Sequence, residues 1–425
     1  LLPRRRRKGR AVISPVDTLT ARSAGLGGSP GAEALRRWQL GKLCETLEYA
    51  RARGRFYAER LGALDPLAEA SLEELPFTLP SDLARDPLAF LCLGQAEVAR
   101  VATLASSGTS GSRKRVFFSE GDLARTVDFF EQGMAELVDP GQDALILMSG
   151  GTENSVGRLL EAALARLGVG SRIGQGLRGL AEALDAARGA DCIVGLPADL
   201  VRLCRSDGSL RPRSVLLSAD YVPQSALRAI EETWRCAVFT HYGRTETAYG
   251  LAVQCASREG HHLRGSEFLV EIVDPETGQP LGPGELGEIV VSALRSEAMP
   301  LIRYRTGDLA RMLSGPCACG GELPRLGRVE GRRENLIHLR GGGRLSIHEL
   351  DELLFGIPSG RGFQAALRLV AGRERLVLTL DSSSAVDPDA LRTLPLEDGQ
   401  LELRYARLEP FTGGAKRRIL IERGD

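Results

Sequence analysis

The sequence predicts an α/β protein: a large N-terminal domain with a doubly wound, mostly parallel sheet and a β-rich subdomain, followed by a small mobile α+β domain. Strand-like apolar runs alternate with helical stretches over residues 144–240, which is typical of a parallel sheet covered on both faces. Beyond Gly250, short strands and a turn at residues 274–278 indicate antiparallel sheet. The two patterns together predict two kinds of sheet within the large domain.

The size and charge of the chain restrict the function classes. A length of 425 residues predicts two or three domains, and 43% hydrophobic and 26% charged residues are typical of a globular protein. The formal net charge is zero, so no global field favours nucleic acid or an anionic membrane. No apolar run approaches the roughly 20 residues of a membrane-spanning helix.

The composition changes along the chain and predicts its domains. The first residues combine a basic block with Gly, Ser and Pro, which favours disorder over a nucleic-acid-binding arm. An amphipathic helix should begin near Glu33 and end near Arg53. The predicted regions are a disordered basic extension at 1–32, the main domain at 33–328, its β-rich subdomain at about 251–328, and the small domain at 329–425.

A polar loop at residues 106–112 stands between two strand-like runs. It holds five hydroxyl side chains and two glycines, and Lys114 follows it. Glycines let backbone N–H groups approach an anion, hydroxyls add donors, and an ammonium is a point charge for phosphate oxygens. The loop lacks the Walker A spacing, so it predicts a phosphate site of another kind. The next helix should start at Ser119, which opens a capping-box pattern with Asp122.

Lysine is rare in this chain, since only four of the 55 basic residues are lysine. Two of the four, Lys114 and Lys416, lie in or beside Gly-rich segments. Because arginine fills nearly every other cationic position, we expect lysine where a compact ammonium is needed. Both are therefore candidate phosphate-binding residues, and a flexible polar turn with a chance lysine is the alternative.

Two predicted parallel strands end in polar sequences, at residues 218–220 and 241–246. Ligands of such sheets bind beyond the carboxyl ends of the strands. Both segments are therefore candidates for one binding site.

Four motifs stand in a fixed order: residues 106–114, 242–246 and 303–308, and residues 331–335 together with Lys416. In this order they resemble the adenylate-forming superfamily, over about residues 33–425. The stretch at 300–305 resembles its phenylacetate-coenzyme A ligase branch. The resemblance implies an AMP-forming acid–thiol ligase, in which an organic acid, of the aryl or arylacetic type, attacks ATP to give an acyl-adenylate, and coenzyme A then displaces AMP.

The resemblance also implies roles for individual residues. The phosphates of ATP would be held by Ser106, Ser107, Gly108, Thr109, Ser110, Gly111 and Lys114. The adenosine would be held by Ala219, Asp220, Tyr242, Gly243, Thr245, Asp308 and Arg332. Glu246 would hold Mg²⁺, a hard cation that prefers carboxylate oxygen. Because the first step needs charge neutralisation more than covalent help, the catalytic residues would be Thr109, Lys114, Glu246 and Lys416.

For two of these carboxylates the residues themselves leave a second interpretation open. Asp308 follows Thr306-Gly307 and is also typical of a turn. Glu246 is also compatible with a structural role at a helix N-terminus, where the helix dipole favours a carboxylate.

The second step, by the same resemblance, requires the small domain to turn. Lys416 would then leave the site, Glu334 would be the hinge, and the glycines at 341–343 would approach the thiol of coenzyme A. A carrier-protein thiol or an amine is the alternative acceptor. The expected partners are a small carboxylic acid, ATP and coenzyme A, without nucleic acid or membrane, and a homodimer is left open.

Eight cysteines in a chain of this length do not form a disulfide framework and indicate a reduced, cytoplasmic protein. Cys317 and Cys319 form a tight knuckle, and Cys255 with His262 could complete a tetrahedral Cys₃His zinc site. Related members of the branch carry a similar Cys and His, which favours His262 over His261. A closed structural zinc site and a metal-free group of reduced thiols are both compatible with this spacing.

Two rival functions were weighed. Residues 174–179 match a dinucleotide-binding G-x-G-x-x-G, but Asp191 lies too early to be the ribose-binding acid of an oxidoreductase. A zinc-stabilised nucleic-acid-binding protein conflicts with the zero net charge and the absence of interleaved aromatic residues. The site for the acid is open, because Phe129, Phe130 and Tyr249 could line an apolar pocket or belong to the core.

Overall fold

The computed structural model of the chain describes residues 13–27, 30–61, 72–105, 113–174, 179–332, 336–340, 342–370, 373–397, 400–408 and 418–422. Several predicted site features lie outside these residues. They are the polar loop from Ser106 to Gly111, the hinge residue Glu334 and the C-terminal Lys416.

The helices and strands are numbered in chain order. The helices are α1 Pro15–Ser23, α2 Ala32–Arg53, α3 Arg55–Leu61, α4 Pro80–Arg85, α5 Glu120–Met134, α6 Val156–Arg166, α7 Leu180–Ala187, α8 Pro197–Ser206, α9 Gln224–Trp234 and α10 Ile347–Leu354. The first strands are β1 Arg100–Ala105, β2 Arg113–Phe118, β3 Asp143–Leu147, β4 Gly170–Ile173, β5 Cys192–Gly195, β6 Ser214–Leu217, β7 Ala237–Tyr242, β8 Ala252–Gln254, β9 His261–Leu263, β10 Phe268–Val273 and β11 Gly287–Ala293. The later strands are β12 Tyr304–Ala310, β13 Met312–Leu313, β14 Arg325–Leu326, β15 Gly331–Arg332, β16 Leu336–His338, β17 Arg344–Ser346, β18 Gly360–Val370, β19 Arg373–Ser382, β20 Leu401–Tyr405 and β21 Ile419–Glu422.

The helix α1 lies in the segment for which the sequence predicts disorder. Ser14 caps it by accepting a hydrogen bond from the Val16 amide at 3.3 Å. Val16 is fully buried, and Asp17 is only 3% exposed. The predicted disorder therefore does not extend to these residues, because burial against the folded domain orders a segment whose composition alone indicates flexibility.

The strands β1 and β2 flank the predicted phosphate loop in the sequence. The two strands pair antiparallel from Arg100 opposite Phe118 to Ala105 opposite Arg113, so residues 106–112 connect their ends. The helix α5 follows with the predicted capping box, in which Ser119 and Asp122 exchange hydrogen bonds of 3.0 and 3.1 Å. The prediction of a strand, loop, strand and helix is confirmed on both sides of the loop.

The largest sheet has nine strands in the order β13-β14-β9-β8-β7-β6-β5-β3-β4. Its part from β4 to β7 is parallel, and the strands from β8 onward are antiparallel. The inner parallel strands are buried along their whole length, as expected for a sheet covered by helices on both faces. The predicted doubly wound fold is confirmed. The strands β8 and β9, which lie within the predicted subdomain range of about 251–328, extend this sheet.

The remaining strands form three further sheets. A four-stranded sheet has the order β10-β11-β12-β15, and the small domain contains the hairpin β16-β17 and a sheet ordered β20-β19-β18-β21. The last sheet is antiparallel between β18 and β19 and parallel at both edges. The small domain is therefore α+β, as predicted. Among the described residues, no helix combines the length and the apolar character needed to cross a membrane.

Candidate active site

Lys114 and Glu246, which two separate motifs predict, lie side by side. Lys114 is in β2, next to the end of the loop, and Glu246 is in the short turn that follows β7. The Lys114 Nζ atom lies 3.9 Å from Glu246 Oε1, and the Glu246 side chain is only 4% exposed. The hairpin therefore brings the cationic end of the predicted phosphate loop to the predicted metal ligand.

Two further residues surround the Glu246 carboxylate. Tyr304 Oη donates a 2.9 Å hydrogen bond to Oε1, and Arg244 Nη2 lies 3.3 Å from the same oxygen. Burial by itself raises the pKa of Glu246, but the charges of Arg244 and Lys114 lower it to about 2. Glu246 is therefore an ionised carboxylate at neutral pH. Neither Arg244 nor Tyr304 was predicted to have a role. Both lie inside the motifs at 242–246 and 303–308, and this position was the sequence feature that could have identified them.

Asp308 forms the second centre of the site. Its Oδ2 accepts hydrogen bonds from Tyr242 Oη at 2.8 Å and Arg244 Nη1 at 2.7 Å, and its Oδ1 accepts one from Arg332 Nε at 2.9 Å. The pairing of β12 with β15 places Asp308 directly opposite Arg332. The structure thus brings Tyr242, Asp308 and Arg332 together, as the resemblance implied.

Arg244 joins the two carboxylates through ion pairs with both Glu246 and Asp308. Burial lowers the pKa of Arg244, but the two carboxylates outweigh it and hold the pKa above its ordinary value. Burial and the Asp308 charge raise the pKa of Tyr242. Because buried charges are stable only when paired, Arg244 supplies the partner charge for both carboxylates in this buried site.

Four non-glycine residues with a positive φ angle lie in or directly beside the segments that carry the site residues. Ala219, Ala248, Tyr249 and Arg303 adopt positive φ angles of 69°, 48°, 65° and 46°. Non-glycine residues rarely adopt this conformation, and such strain is concentrated at functional sites. Ala219 is a predicted adenosine-binding residue, and the neighbouring Asp220 accepts a hydrogen bond from the Tyr221 amide at 2.9 Å.

Gly243 is required by close packing within the motif at 242–246. A Cβ atom at this position would lie 2.2 Å from the carbonyl oxygen of Tyr249 and 2.7 Å from the His241 ring. A larger residue would therefore force the turn that carries Thr245 and Glu246 away from β7.

The aromatic residues considered for the acid have different environments. Phe129 is 1% exposed and Phe130 is 7% exposed, and both rings lie about as far from His241, with centroids 6.0 and 6.1 Å away. Tyr249 is partly exposed, accepts a 2.9 Å hydrogen bond from Arg100 Nε, and lies beside Phe118. Tyr249 is thus the more accessible member of the three.

The predicted zinc ligands Cys255, His262, Cys317 and Cys319 form one buried cluster, with all their ligand atoms within 4.8 Å of one another. The Cys255 and Cys317 sulfurs are 3.6 Å apart, and Cys319 Sγ is 3.6 Å from His262 Nε2. A tetrahedral zinc ion with Zn–S distances of about 2.3 Å places its ligand atoms about 3.8 Å apart. The donor set and its spacing therefore fit zinc.

The adjacent histidine in β9 has a different partner, because side chains alternate along a strand. His261 Nε2 is 2.7 Å from Thr240 Oγ1, whereas His262 Nδ1 is 2.8 Å from Asp17 Oδ1. This arrangement directs His262 Nε2 to the sulfurs, so His262 rather than His261 lies in the cluster. The contribution of Asp17 was missed, because α1 lies in the segment predicted to be disordered.

Comparison with known proteins identifies the family. Residues 101–294 match the model of the AMP-binding enzyme family. The phenylacetate-coenzyme A ligase of Thermus thermophilus is 31% identical over 363 residues, which cover 77% of this chain and 76% of the relative. The chain belongs to the phenylacetate-coenzyme A ligase branch of the adenylate-forming enzymes. This assignment confirms the predicted reaction class, in which ATP activates a carboxylic acid and coenzyme A accepts the acyl group.

Solved structures of a related fold support the architecture. The 2-hydroxyisobutyryl-CoA ligase in its postadenylation state, in complex with R3-HIB-AMP, superposes with a TM-score of 0.74 at 18% identity, over 91% of this chain and 89% of that chain. The same ligase in its thioesterification state superposes with a TM-score of 0.66 at 20% identity, over 93% and 91%. The fold class is therefore that of adenylate-forming ligases. The family assignment displaces both rival functions weighed above.

Proposed function

We propose that this ligase activates an aryl or arylacetic acid, and that ATP lies between the Lys114–Glu246 pair and Asp308. The observation that carries the proposal is the 3.9 Å approach of Lys114 to Glu246, because it joins the phosphate loop to the predicted metal ligand. Two motifs more than 100 residues apart in the sequence thus meet at one point.

The phosphate end of the nucleotide is assigned to the loop, Lys114 and Glu246. Glu246 fits Mg²⁺, because it is a buried carboxylate that remains ionised and Mg²⁺ prefers such oxygens. A bound Mg²⁺ would supply charge neutralisation for the phosphates. Lys114 adds a mobile ammonium for the same oxygens, and Arg244 keeps the Glu246 carboxylate in place.

The ribose end is assigned to Asp308. A carboxylate accepts two hydroxyl donors well, and Asp308 stands between Tyr242 and Arg332. When the ribose binds, its hydroxyl groups would compete with Arg332 for Oδ1, which makes the hydrogen bond from Arg332 exchangeable. Tyr242 and the strained Ala219 at the ends of β7 and β6 would border the adenine.

Lys416 and Glu334 complete the proposed mechanism, although both lie outside the described residues. In the first step Lys416 would bridge the acid's carboxylate and the α-phosphate. In the second step the small domain would turn about Glu334 and remove Lys416 from the site. The thiol of coenzyme A would then attack the acyl carbon, and AMP would leave with the electrons of the broken bond.

Support for an aromatic acid comes from the chain's own side chains and from its relative. The partly exposed ring of Tyr249 follows the motif at 242–246 and packs beside Phe118, so an aryl group could pack against it. The Thermus thermophilus relative is a phenylacetate-coenzyme A ligase. Arg100 fixes the Tyr249 hydroxyl, which gives that ring a defined orientation.

The test is acid-dependent exchange of pyrophosphate into ATP across a panel of aryl, arylacetic and short aliphatic acids, followed by addition of coenzyme A. We expect exchange with aryl or arylacetic acids and conversion of the adenylate to a thioester. Exchange restricted to short aliphatic acids would contradict the substrate class. A chain that exchanges with no acid would contradict the enzymatic proposal as a whole.

The role of Lys416 has its own test. Lys416→Ala should abolish exchange but spare thioester formation from a preformed acyl-adenylate, because the ammonium acts only in the first step. Lys42→Ala is the matched control, since Lys42 pairs with Glu45 on the surface of α2. Equal loss of both half-reactions in the Lys416 variant would contradict the assignment.

We also propose that the Cys255, His262, Cys317 and Cys319 cluster binds a structural zinc ion. All four residues are ligands, so the site has no open position for a catalytic water. The ion would connect the loop at 317–319 to β9, and through Asp17 to α1. Metal analysis of the purified chain is the direct measurement, and we expect about one zinc per chain.

The cellular location and the assembly of the chain stay predictions. None of the eight cysteines, all of which are described, forms a disulfide, as expected in a reducing compartment such as the cytoplasm. A homodimer is tested by light scattering.

A further inference from the structure

The helix α10 of the small domain contacts the large domain at the N-terminus of α9. Glu352 in α10 accepts hydrogen bonds from the backbone amides of Gln224 at 2.9 Å and Ser225 at 3.1 Å. The residue before the helix is Pro223, which provides no side-chain cap. The first amides of a helix have no partner within it and favour a negative charge, so a carboxylate from the other domain supplies the missing cap.

The same carboxylate is held by two side chains of the large domain. Tyr221 Oη donates a 3.0 Å hydrogen bond to Glu352, and Arg328 donates to both Glu352 and Tyr221. Burial raises the pKa of Glu352, but the amides of Gln224 and Ser225 and the charge of Arg328 outweigh it and lower the pKa. Glu352 is therefore ionised at neutral pH, and its oxygens accept hydrogen bonds from two backbone amides, from Tyr221 and from Arg328.

An aromatic contact places this attachment beside the nucleotide site. The rings of Tyr221 and His348 are stacked, with centroids 4.1 Å apart and planes 20° apart. Tyr221 directly follows Asp220, and the charges of Asp220, Asp308 and Arg332 are close enough to influence the pKa of His348. The attachment of the small domain is thus adjacent to the residues assigned to adenosine.

The glycine-rich hairpin of the small domain bonds to its own domain in this arrangement. The Leu339 amide donates to the Gly343 carbonyl at 2.8 Å, and the Arg340 amide donates to Glu374 at 2.6 Å. Gly343 packs against Pro395, whose carbonyl oxygen would be 2.9 Å from an added Cβ. The described part of this hairpin thus makes these hydrogen bonds within the small domain.

From these contacts we propose that Glu352 is a positioning residue, which holds the small domain in the arrangement used for adenylate formation and must release α9 before the thioester forms. This inference rests on the proposed two-step function. The partners of Glu352 are Tyr221, Arg328 and the amides at the start of α9, none of which is assigned to the nucleotide or the acid, so it acts through the position of its domain.

Other contacts limit the size of the effect. Arg205 in α8 donates to the Phe355 carbonyl at 2.6 Å, and Arg202 donates to the Leu408 carbonyl. Apolar residues of α8 and α9 also share one core cluster with α10 and β18. Loss of Glu352 should therefore shift the balance between arrangements without freeing the domain. We expect a change of about fivefold, the effect of losing hydrogen bonds worth about 1 kcal/mol.

The test compares Glu352→Ala with Glu402→Ala in the two half-reactions. The Glu402 side chain is 31% exposed, against 33% for Glu352, but its ion pairs with Arg375 and Arg404 stay within the small domain. We expect Glu352→Ala to lower pyrophosphate exchange about fivefold while thioester formation from a preformed acyl-adenylate is unchanged or faster. Glu402→Ala should leave the ratio of the two rates unchanged. An equal fall of both rates in Glu352→Ala, or no change in either, overturns the proposal.

Two further measurements keep the test decisive. Tyr221→Phe removes one hydrogen bond to Glu352 and keeps the ring stack, so it should shift the same ratio by a smaller factor even if Glu352→Ala folds poorly.

Small-angle scattering reports the domain arrangement without a measurement of activity, and we expect a larger radius of gyration for Glu352→Ala than for wild type. If the wild-type chain exchanges with no acid, the proposed function fails. The positioning role is then judged by scattering alone, and identical curves overturn it.

Discussion

Two buried polar clusters of this protein differ in how their charges are balanced. The network of Arg244, Glu246, Asp308 and Arg332 contains both signs, and each carboxylate has a cationic partner within 3.3 Å. The cluster of Cys255, His262, Cys317 and Cys319, together with Asp17, is built from neutral and acidic donors. The charges of the first cluster are balanced without a ligand, and a ligand can replace one of the ion-pair partners. The cysteines of the second cluster need a bound cation to be present as thiolates.

The difference in charge balance indicates that the first cluster is suited to binding a substrate and the second to a structural role. Ion pairs that a substrate can replace allow reversible binding of a nucleotide. A closed set of thiol and imidazole ligands instead favours a permanent ion that joins chain segments.

The largest effect is expected for Asp308→Ala. The change removes the ribose acceptor and leaves Arg244 and Arg332 without a shared carboxylate in a buried site. We expect pyrophosphate exchange to fall about 1,000-fold. The variant loses the charge-assisted hydrogen bonds to the ribose, and the two arginines that lose this partner disturb the site as well. Glu330→Ala is the control, since the Glu330–Arg311 ion pair is exposed. An Asp308→Ala enzyme with normal exchange would show that the ribose binds elsewhere.

Glu246→Gln should have the next largest effect. The amide keeps the shape but loses the charge that Mg²⁺ requires, so we expect exchange to fall about 100-fold and the Mg²⁺ dependence to move to higher concentration. Titration of exchange rate against Mg²⁺ is the measurement. An unchanged Mg²⁺ dependence, with a lower rate only, would indicate a purely structural carboxylate.

Cys317→Ser tests the second cluster and should act on stability rather than on chemistry. We expect loss of the bound zinc and a fall in the free energy of unfolding on the order of 2 kcal/mol, because the ion stabilises only the folded chain. Metal analysis and urea unfolding measure the two effects. Cys236→Ser, which changes a cysteine outside the cluster, should retain zinc. Identical metal content in both variants would remove Cys317 from the site.

Asp17→Asn should give the smallest effect of the four. Asp17 contacts His262 Nδ1 and would orient the ring without touching the ion. Loss of such a partner usually weakens metal affinity by about 10-fold to 100-fold, and we expect a value near the lower limit. Competition with a zinc chelator measures it. A chelator curve identical to that of the wild type would mean that α1 does not support the metal site.

The prediction from sequence was strongest where local pattern and chemistry agree. The alternation of strands and helices predicted the parallel sheet, and Ser119 with Asp122 predicted the start of α5. The Cys-x-Cys knuckle and His262 predicted members of one cluster. These features depend on residues close in the sequence or on residue types with few other uses.

Predictions failed or were incomplete where contacts between segments distant in the sequence determine the structure. The ordered α1 was missed because Val16 is stabilised by burial rather than by its neighbours in sequence. Arg244 and Tyr304 received no role, since nothing in their spacing shows that both reach Glu246. The pairing of β8 and β9 with the large sheet was not predicted, because short antiparallel strands carry no signal for their partners.

The fold class, the order of the motifs and the residue types available for phosphate, metal and thiol chemistry could be predicted from the sequence, because these follow from periodicity and side-chain chemistry. Only the tertiary structure decided which charges meet: Lys114 with Glu246, Arg332 with Asp308, and Glu352 with the N-terminus of α9. The physical reason is that electrostatic contacts depend on distances of a few ångströms, which chain folding sets and sequence separation does not.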